Sequence, residues 1–413
     1  MKINRLQGIV LSAVCLFAVQ TWAQASAQLP VPDLALRGAR VYANPQAAPI
    51  DNAVVLIHDG HIAAVSSASA LTVPSGVRVL DCSGKIIVAG FWNSHVHFET
   101  GWDDAAHAPV AQLEGHLQQM LTRWGFTTVW DLGSVPENTL ALRSRIESGE
   151  IPGPQILMAG DIFPLHGHPV YLPASLQLPE AATPDQAREM AERYLHIPLD
   201  GIKLFTGAFM GDAPVINMPE PIAAAAVDVA HAQHKPVFAH PQNYAGVDNA
   251  LAAGVDILAH TIPTENGFTP AELARMKQQH SALIPTLTLW TTVVHNPAVS
   301  AHLVDSGVSE LKSWAAAGGT VLFGTDVGFQ SVYDTTQEYQ FMGRALGWRE
   351  ILASLTTAPS DYFHQPQKGR IEPGSVADLV VLDGDPATDV ANLARVHTAI
   401  RGGRVIYEET PAR

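Results

Sequence analysis

Ile86-Ile87-Val88-Ala89-Gly90-Phe91-Trp92-Asn93-Ser94-His95-Val96-His97 is an apolar run that closes on two histidines one residue apart. Side chains alternate along an extended chain, so His95 and His97 face the same side of a strand. Two imidazoles converging in that way can take one divalent ion. Taken alone, the pair could equally be polar residues capping a strand end.

The same form, an apolar run ending in polar residues, returns at 127–131, 155–160, 201–205, 236–240, 256–260, 282–287 and 321–326. Helix-like stretches lie between most of these runs. Val110, Leu113, Leu117, Met120, Leu121 and Trp124 recur at the three-and-four spacing of an amphipathic helix. Residues 184–195, 219–233 and 270–279 each begin with a proline, which a first helical turn tolerates. Eight strand–helix alternations predict an α/β fold, a parallel (β/α)8 TIM-type barrel over residues 86–364. A doubly wound open sheet is the alternative.

Both flanks read as strands and turns. Ala53-Val54-Val55-Leu56-Ile57 and Ile62-Ala63-Ala64-Val65 are separated by Asp59-Gly60, and Pro74-Ser75-Gly76 makes a further turn. Ala377-Asp378-Leu379-Val380-Val381-Leu382 and Thr398-Ala399-Ile400-Arg401 are bounded by Asp383-Gly384-Asp385-Pro386 and Gly402-Gly403. Residues 28–85 and 365–413 are expected to pair into a small β-sandwich domain beside the barrel.

Residues 1–27 differ from the rest. Lys2 and Arg5 precede an apolar stretch from Ile9 to Val19, followed by small residues at Ala23, Ala25 and Ala27. This is the layout of a cleavable signal peptide, with an apolar run too short to span a bilayer. The protein is therefore expected to be exported, to the periplasm or beyond, with no membrane attachment after cleavage. Cys82 would then be the one remaining cysteine, so no internal disulfide is expected.

The 413 residues include 39 acidic and 24 basic side chains, a formal charge of −15. Nucleic acid and anionic membrane surfaces need a cationic face, so neither is an expected partner. A hydrophobic share of 47% with 15% charged residues suits a packed enzyme and argues against disorder.

In a barrel of this kind, catalytic groups emerge at the carboxyl ends of the strands. His95 and His97 end the first run, His240 the fifth, His260 the sixth and Asp326 the eighth. Four histidines and an aspartate at the strand ends of one barrel supply the nitrogen and oxygen ligands that zinc and its neighbours take. Lys203 sits in the otherwise apolar Gly201-Ile202-Lys203-Leu204-Phe205. A buried lysine must be paired or lose its charge. A neutral amine can react with carbon dioxide to give a carbamate able to bridge two metals; a lysine salt-bridged at the barrel mouth is the other reading. The lysine decides the metal count, two ions with the carbamate and one without.

These residues carry a resemblance. The chain resembles the amidohydrolase superfamily, and within it the imidazolonepropionase-related proteins and metal-dependent Xaa-Pro or Xaa-Arg dipeptidases. The likeness rests on residues 91–97, Gly125-Phe126-Thr127-Thr128-Val129-Trp130-Asp131, Ile202-Lys203, Ala239-His240, Ala252-Ala253-Gly254-Val255-Asp256 with His260, Gly324-Thr325-Asp326, and Gly374-Ser375-Val376-Ala377-Asp378-Leu379. It implies that His95 and His97 hold one ion, His240 and His260 a second, and carbamylated Lys203 bridges them. It also implies that Asp326 binds the first ion and acts as general base and acid. Asn93 stands where the family usually has an aspartate, and Ala259 where a glutamate commonly precedes the sixth-strand histidine.

The expected function is metal-dependent hydrolysis of a C–N bond in a small amide or dipeptide, with zinc expected and manganese the alternative. A mononuclear deaminase or cyclic amide or imide hydrolase, and a non-catalytic metal- or ligand-binding protein, are the competing readings. His166, His168 and Tyr171 in the long loop after the third strand, and Tyr244 after His240, are expected to touch substrate. A homo-oligomer is left open.

Overall fold

The computed structural model describes residues 32–99, 101–102, 104–262 and 267–409. The expected signal segment, residues 1–27, lies outside the described residues.

Eight strands run parallel in sequence order: β1 (Phe91–Val96), β2 (Phe126–Asp131), β3 (Gln155–Pro164), β4 (Gly201–Leu204), β5 (Val237–Ala239), β6 (Ile257–Ala259), β7 (Ala282–Ile284) and β8 (Thr320–Val321). The sheet closes where the chain after β8 returns to β1. Ser94 N–H donates to the Phe323 carbonyl at 2.7 Å, Asp326 N–H to the His95 carbonyl at 2.9 Å, and His97 N–H to the Val327 carbonyl at 2.8 Å. Run 321–326 is therefore the eighth barrel position, although regular strand pairing ends at Val321.

Trp92, Trp130, Leu157, Phe238, Ile257 and Ile284 belong to one buried cluster, and Phe363 stacks on Trp92 with centroids 5.9 Å apart. These residues fill the amino-terminal half of the barrel, leaving polar side chains to the carboxyl ends. The helices around the strands follow the expected periodicity, with the first turned by Leu113, Leu117 and Met120 toward the core. Prolines open the helices Pro136–Glu147, Pro184–His196, Pro270–Gln278 and Pro297–Ala316, where no N–H is needed.

The two flanks form one continuous eight-stranded mixed sheet. It bends round a shared core that includes Leu36, Val55, Ile62, Leu379 and Ile400. Ile62 N–H donates to Ser375 and Ala377 N–H to Gly60, which joins the far strand back to the opposite side. The expected sandwich is thus a single sheet folded over itself.

The boundary with the barrel differs from the expected one. Ile86–Ala89 pairs antiparallel with Leu379–Leu382, so these residues belong to the outer sheet rather than to β1. The break falls at Gly90, whose N–H donates to Asp378. A Cβ there would lie 2.3 Å from Thr127 Oγ1, so the crossing needs a residue without a side chain.

Lys368 ties the outer sheet to the barrel. Its ammonium meets Asp378 at 2.9 Å and donates to Thr128 Oγ1 at 3.0 Å, over the ring of Trp92. Both charged groups are largely buried. Lys368→Met leaves the Asp378 carboxylate without its counter-charge, and is expected to cost roughly 3–5 kcal/mol. Urea unfolding checks this; a loss near zero would mean that water screens the pair.

Candidate active site

The carboxyl ends of the strands open on a cavity of about 410 Å³. His95, His97, Lys203, His240, His260 and Asp326, from β1, β4, the ends of β5 and β6 and the return after β8, all line it. A larger hollow of about 900 Å³ lies at the opposite end, lined by Leu157, Asp200, Pro236 and Asp256 around the starts of β3 to β6. Catalytic groups of such barrels come from the other face.

The floor of the cavity is a triangle of ligand atoms. His95 Nε2 and His97 Nε2 lie 3.2 Å apart, and Asp326 Oδ1 is 3.1 Å from the first and 2.9 Å from the second. Adjacent ligands of a tetrahedral zinc with bonds of about 2.0–2.1 Å stand about 3.3 Å apart, so this donor set fits a divalent ion. The set is buried, with His95 fully enclosed. His260 lies 4.6 Å from His95 and 4.7 Å from His240, ring centre to ring centre. His240 and His260 do not join the triangle.

Hydrogen bonds behind the rings set which nitrogen faces the cavity. His97 Nδ1 donates to the Gly133 carbonyl at 2.7 Å, leaving Nε2 toward Asp326. Thr286 Oγ1 donates to Pro285 and therefore accepts from His260 Nδ1 at 2.6 Å. His260 Nε2 is then the free lone pair. Asn93 donates to Thr325 Oγ1 at 2.7 Å and accepts from the Thr325 and His95 N–H groups. The amide thus ties β1 to the segment that carries Asp326.

Burial governs the charges. It pushes His95 down to about 3 and His240 down to about 4, with Lys203 adding to both, and holds His260 well below its ordinary value. Burial acts on His97 in the same direction, but its hydrogen bond to Asp326 and that carboxylate's charge outweigh it, raising His97 to about 9. Asp326 is held well below the usual carboxylate range despite burial, by the His95 and His97 imidazoles. Lys203 is lowered by its burial. Three imidazoles are thus neutral, while the fourth shares a proton with Asp326.

Backbone strain gathers here. Asp326 has φ 60°, His260 φ 104° and Thr286 φ 44°, left-handed values that cost of order 1–3 kcal/mol each. Gly328 sits against the His97 carbonyl, which a Cβ would approach to 1.8 Å.

The structure brings Tyr171 to the cavity but not His166, His168 or Tyr244. His166 has φ 60° and its backbone N–H donates to Glu180. Both His168 ring nitrogens face carbonyls of their own loop, Pro169 and Leu176. The Tyr244 hydroxyl donates to Gly267 while its ring packs on the core. Sequence reasoning missed Asp161 and Glu99, which line the cavity, and Trp290, which closes one side. Asp161 directly follows the third apolar run, whose last residue by the sequence reading is Gly160. It pairs in register with Lys203, and burial lifts it to about 7.

The amidohydrolase family model matches residues 86–406. The chain belongs to the amidohydrolase family. An uncharacterized protein of Mycobacterium tuberculosis is 28% identical over 309 residues, 71% of this chain and 76% of its own. A Bifidobacterium longum protein provisionally designated a prolidase superposes with a TM-score of 0.78 at 26% identity, covering 93% of this chain and 96% of its own. A Xaa-Pro dipeptidase with bound methionine shares the fold, with a TM-score of 0.77 at 20% identity over 91% of this chain and 100% of its own.

Thr286→Val removes the acceptor that orients His260. Divalent-ion affinity is expected to fall about 10–100-fold, as for other partners of metal-bound imidazoles. Competition titration against a zinc chelator measures it.

Proposed function

We propose that this amidohydrolase cleaves a C–N bond of a small amide, using two divalent ions, with zinc first among them. The observation that carries the reading is the buried triangle of His95 Nε2, His97 Nε2 and Asp326 Oδ1. His95 and His97 would hold one ion with Asp326, and His240 and His260 the other. The burial that lowers Lys203 favours its neutral amine, which adds to carbon dioxide and loses a proton to give a carbamate. In that form Lys203 would help hold the ions.

A bound ion supplies a water whose pKa is lowered to about 7 and polarises the scissile carbonyl. Asp326 accepts the proton given up by the attacking water and returns it to the leaving nitrogen. His97, anchored on Gly133, keeps Asp326 Oδ1 turned toward the cavity. The prolidase designation of the Bifidobacterium longum neighbour supports hydrolysis of a C–N bond. Export to the periplasm or beyond belongs to the same proposal and rests on the basic start and apolar run of residues 1–27.

One observation favours a single-ion reading, a deaminase or cyclic-amide hydrolase: among the described residues only His95, His97 and Asp326 converge here tightly enough to hold an ion. Metal analysis separates the two. Two ions per chain, falling to one or none in Lys203→Met, are expected; one ion in both proteins would establish the mononuclear case. Asp326→Ala is expected to lower kcat at least about 1,000-fold, roughly the scale of losing general acid–base work and a ligand together. Retained turnover would remove Asp326 from the mechanism.

Loading also has a pH signature. His97 holds its proton below about 9 and must release it to coordinate. Zinc affinity is therefore expected to rise about tenfold per pH unit from roughly 6.5 toward 8.5, because binding expels that proton. Competition titrations across this window check the slope.

A further inference from the structure

The walls of the cavity differ in kind from its floor. Phe163 and Phe205 stack with centroids 4.0 Å apart and planes 16° from parallel, and Phe205 continues onto His240. Tyr171, from the loop after β3, meets Phe329, from the loop after Asp326, edge to face at 5.0 Å. Trp290 closes a further side. Phe209 and Val293 are large apolar side chains left 39% and 41% exposed at this cavity. Monomeric surfaces expose such groups together mainly where something apolar is to bind.

Charge is distributed the other way. Among the described residues lining the cavity there is no arginine, and Lys203 is the one lysine, fully buried at the end of β4. The charged side chains outside the ligand set are acidic, Asp161 and Glu99. Glu99 stands at the edge, 36% exposed and 4.0 Å from His97 Nδ1. Apart from the ions and their ligands, a carboxylate beside the scissile bond would lie against apolar walls and acidic side chains, with no arginine or second lysine among the described lining residues to pair it. Burying an unpaired carboxylate is costly. The neutral hydrogen-bonding groups present, the Tyr171 hydroxyl and the Gln242 amide, suit an uncharged polar ligand. A volume of about 410 Å³ is near the lower end of the roughly 300–1,000 Å³ of small-molecule sites, enough for one or two rings and too small for a polymer.

We propose that the substrate is an uncharged amide carrying a flat aromatic or bulky apolar group, with no free carboxylate next to the bond cleaved. This deepens the hydrolase reading above and rests on it. The reaction takes one amide and one water to one carboxylic acid and one amine. The C–N bond breaks, a C–O bond forms between the carbonyl carbon and the water oxygen, and Asp326 passes the water's proton to the leaving nitrogen without redox change. Dipeptides and N-acyl amino acids, each with a carboxylate beside the amide, are the disfavoured members of the amide class.

The test is a matched pair, N-phenethylbenzamide and N-benzoyl-phenylalanine, which differ by the carboxylate alone. With zinc- or manganese-loaded protein, kcat/KM from released benzoate is expected to favour the neutral amide about tenfold or more. Equal or faster cleavage of the acid would overturn the inference. Calorimetric binding of both compounds to Asp326→Asn protein, its ion content matched to the parent's by metal analysis, separates this question from catalysis. If neither compound turns over yet the neutral one binds about tenfold tighter, the hydrolase reading fails and the specificity stands. If the acid binds as tightly, or neither binds, the specificity fails whatever the activity. Phe209→Ala, at a half-exposed position, is expected to weaken binding of the neutral amide about fivefold, and an unchanged Kd would remove the apolar wall from the argument.

Discussion

The site depends on one closure: the chain after β8 must return to β1 closely enough for Asp326 to lie between two imidazoles. Three backbone bonds, from Ser94, His97 and Asp326, hold that return. The left-handed backbone at Asp326 turns its carboxylate inward, and Gly328 lets the strand pass over the His97 carbonyl. The carboxylate is removed from water and gains two imidazoles in exchange. That balance explains why the strained turn persists, since strain at such a position survives only where its surroundings over-determine it. Asn93 adds a side-chain link between the same two segments.

The second half of the site is arranged by tautomers rather than by charge. Gly133 and the Thr286 hydroxyl occupy the Nδ1 atoms of His97 and His260, so both rings offer Nε2 to the cavity. Burial keeps three of the four imidazoles neutral without any ion present. Little reorganisation is then needed at His260 when a cation arrives, whereas His97 must lose a proton and His240 must give up the hydrogen bond that its Nε2 donates to Gln242. A rigid barrel whose lower half is filled by Trp92, Trp130 and Phe238 fixes the strand ends that carry them.

Most of this architecture was legible because parallel strands buried on both faces read as short apolar runs, and because the polar residue closing each run falls at the strand end. His95, His97, His240, His260 and Asp326 all stand at or next to the ends of those runs, and all line the cavity. Gly90 was not legible, because an unbroken apolar run does not reveal that its first four residues pair with Leu379–Leu382 instead of β2. Asp161 escapes the rule because Gly160, just before it, reads as the end of the third run. Loops carry no periodicity to orient their side chains. His166 and His168 therefore looked like ligands for substrate, yet their bonding stays within the loop and its neighbour Glu180. Tyr244 followed His240 closely, but the helix Tyr244–Ala253 that it begins turns it toward Gly267.

Lys203 is where local chemistry and global fold disagree most. Its strand neighbours Ile202 and Leu204 are fully buried, and nothing in barrel packing calls for an amine between them. Asp161 stands opposite it in register, one oxygen without a hydrogen-bond partner. Burial lowers Lys203 and raises Asp161, so each is driven toward its neutral form rather than held as an ion pair that would stabilise the fold. Sequences break the consistency of a fold mainly where function requires it. Burial drives the Lys203 amine toward its neutral form, and Lys203 lines the same cavity as the four imidazoles and Asp326; under the proposed two-ion reading its reactivity would be the reason for its place there.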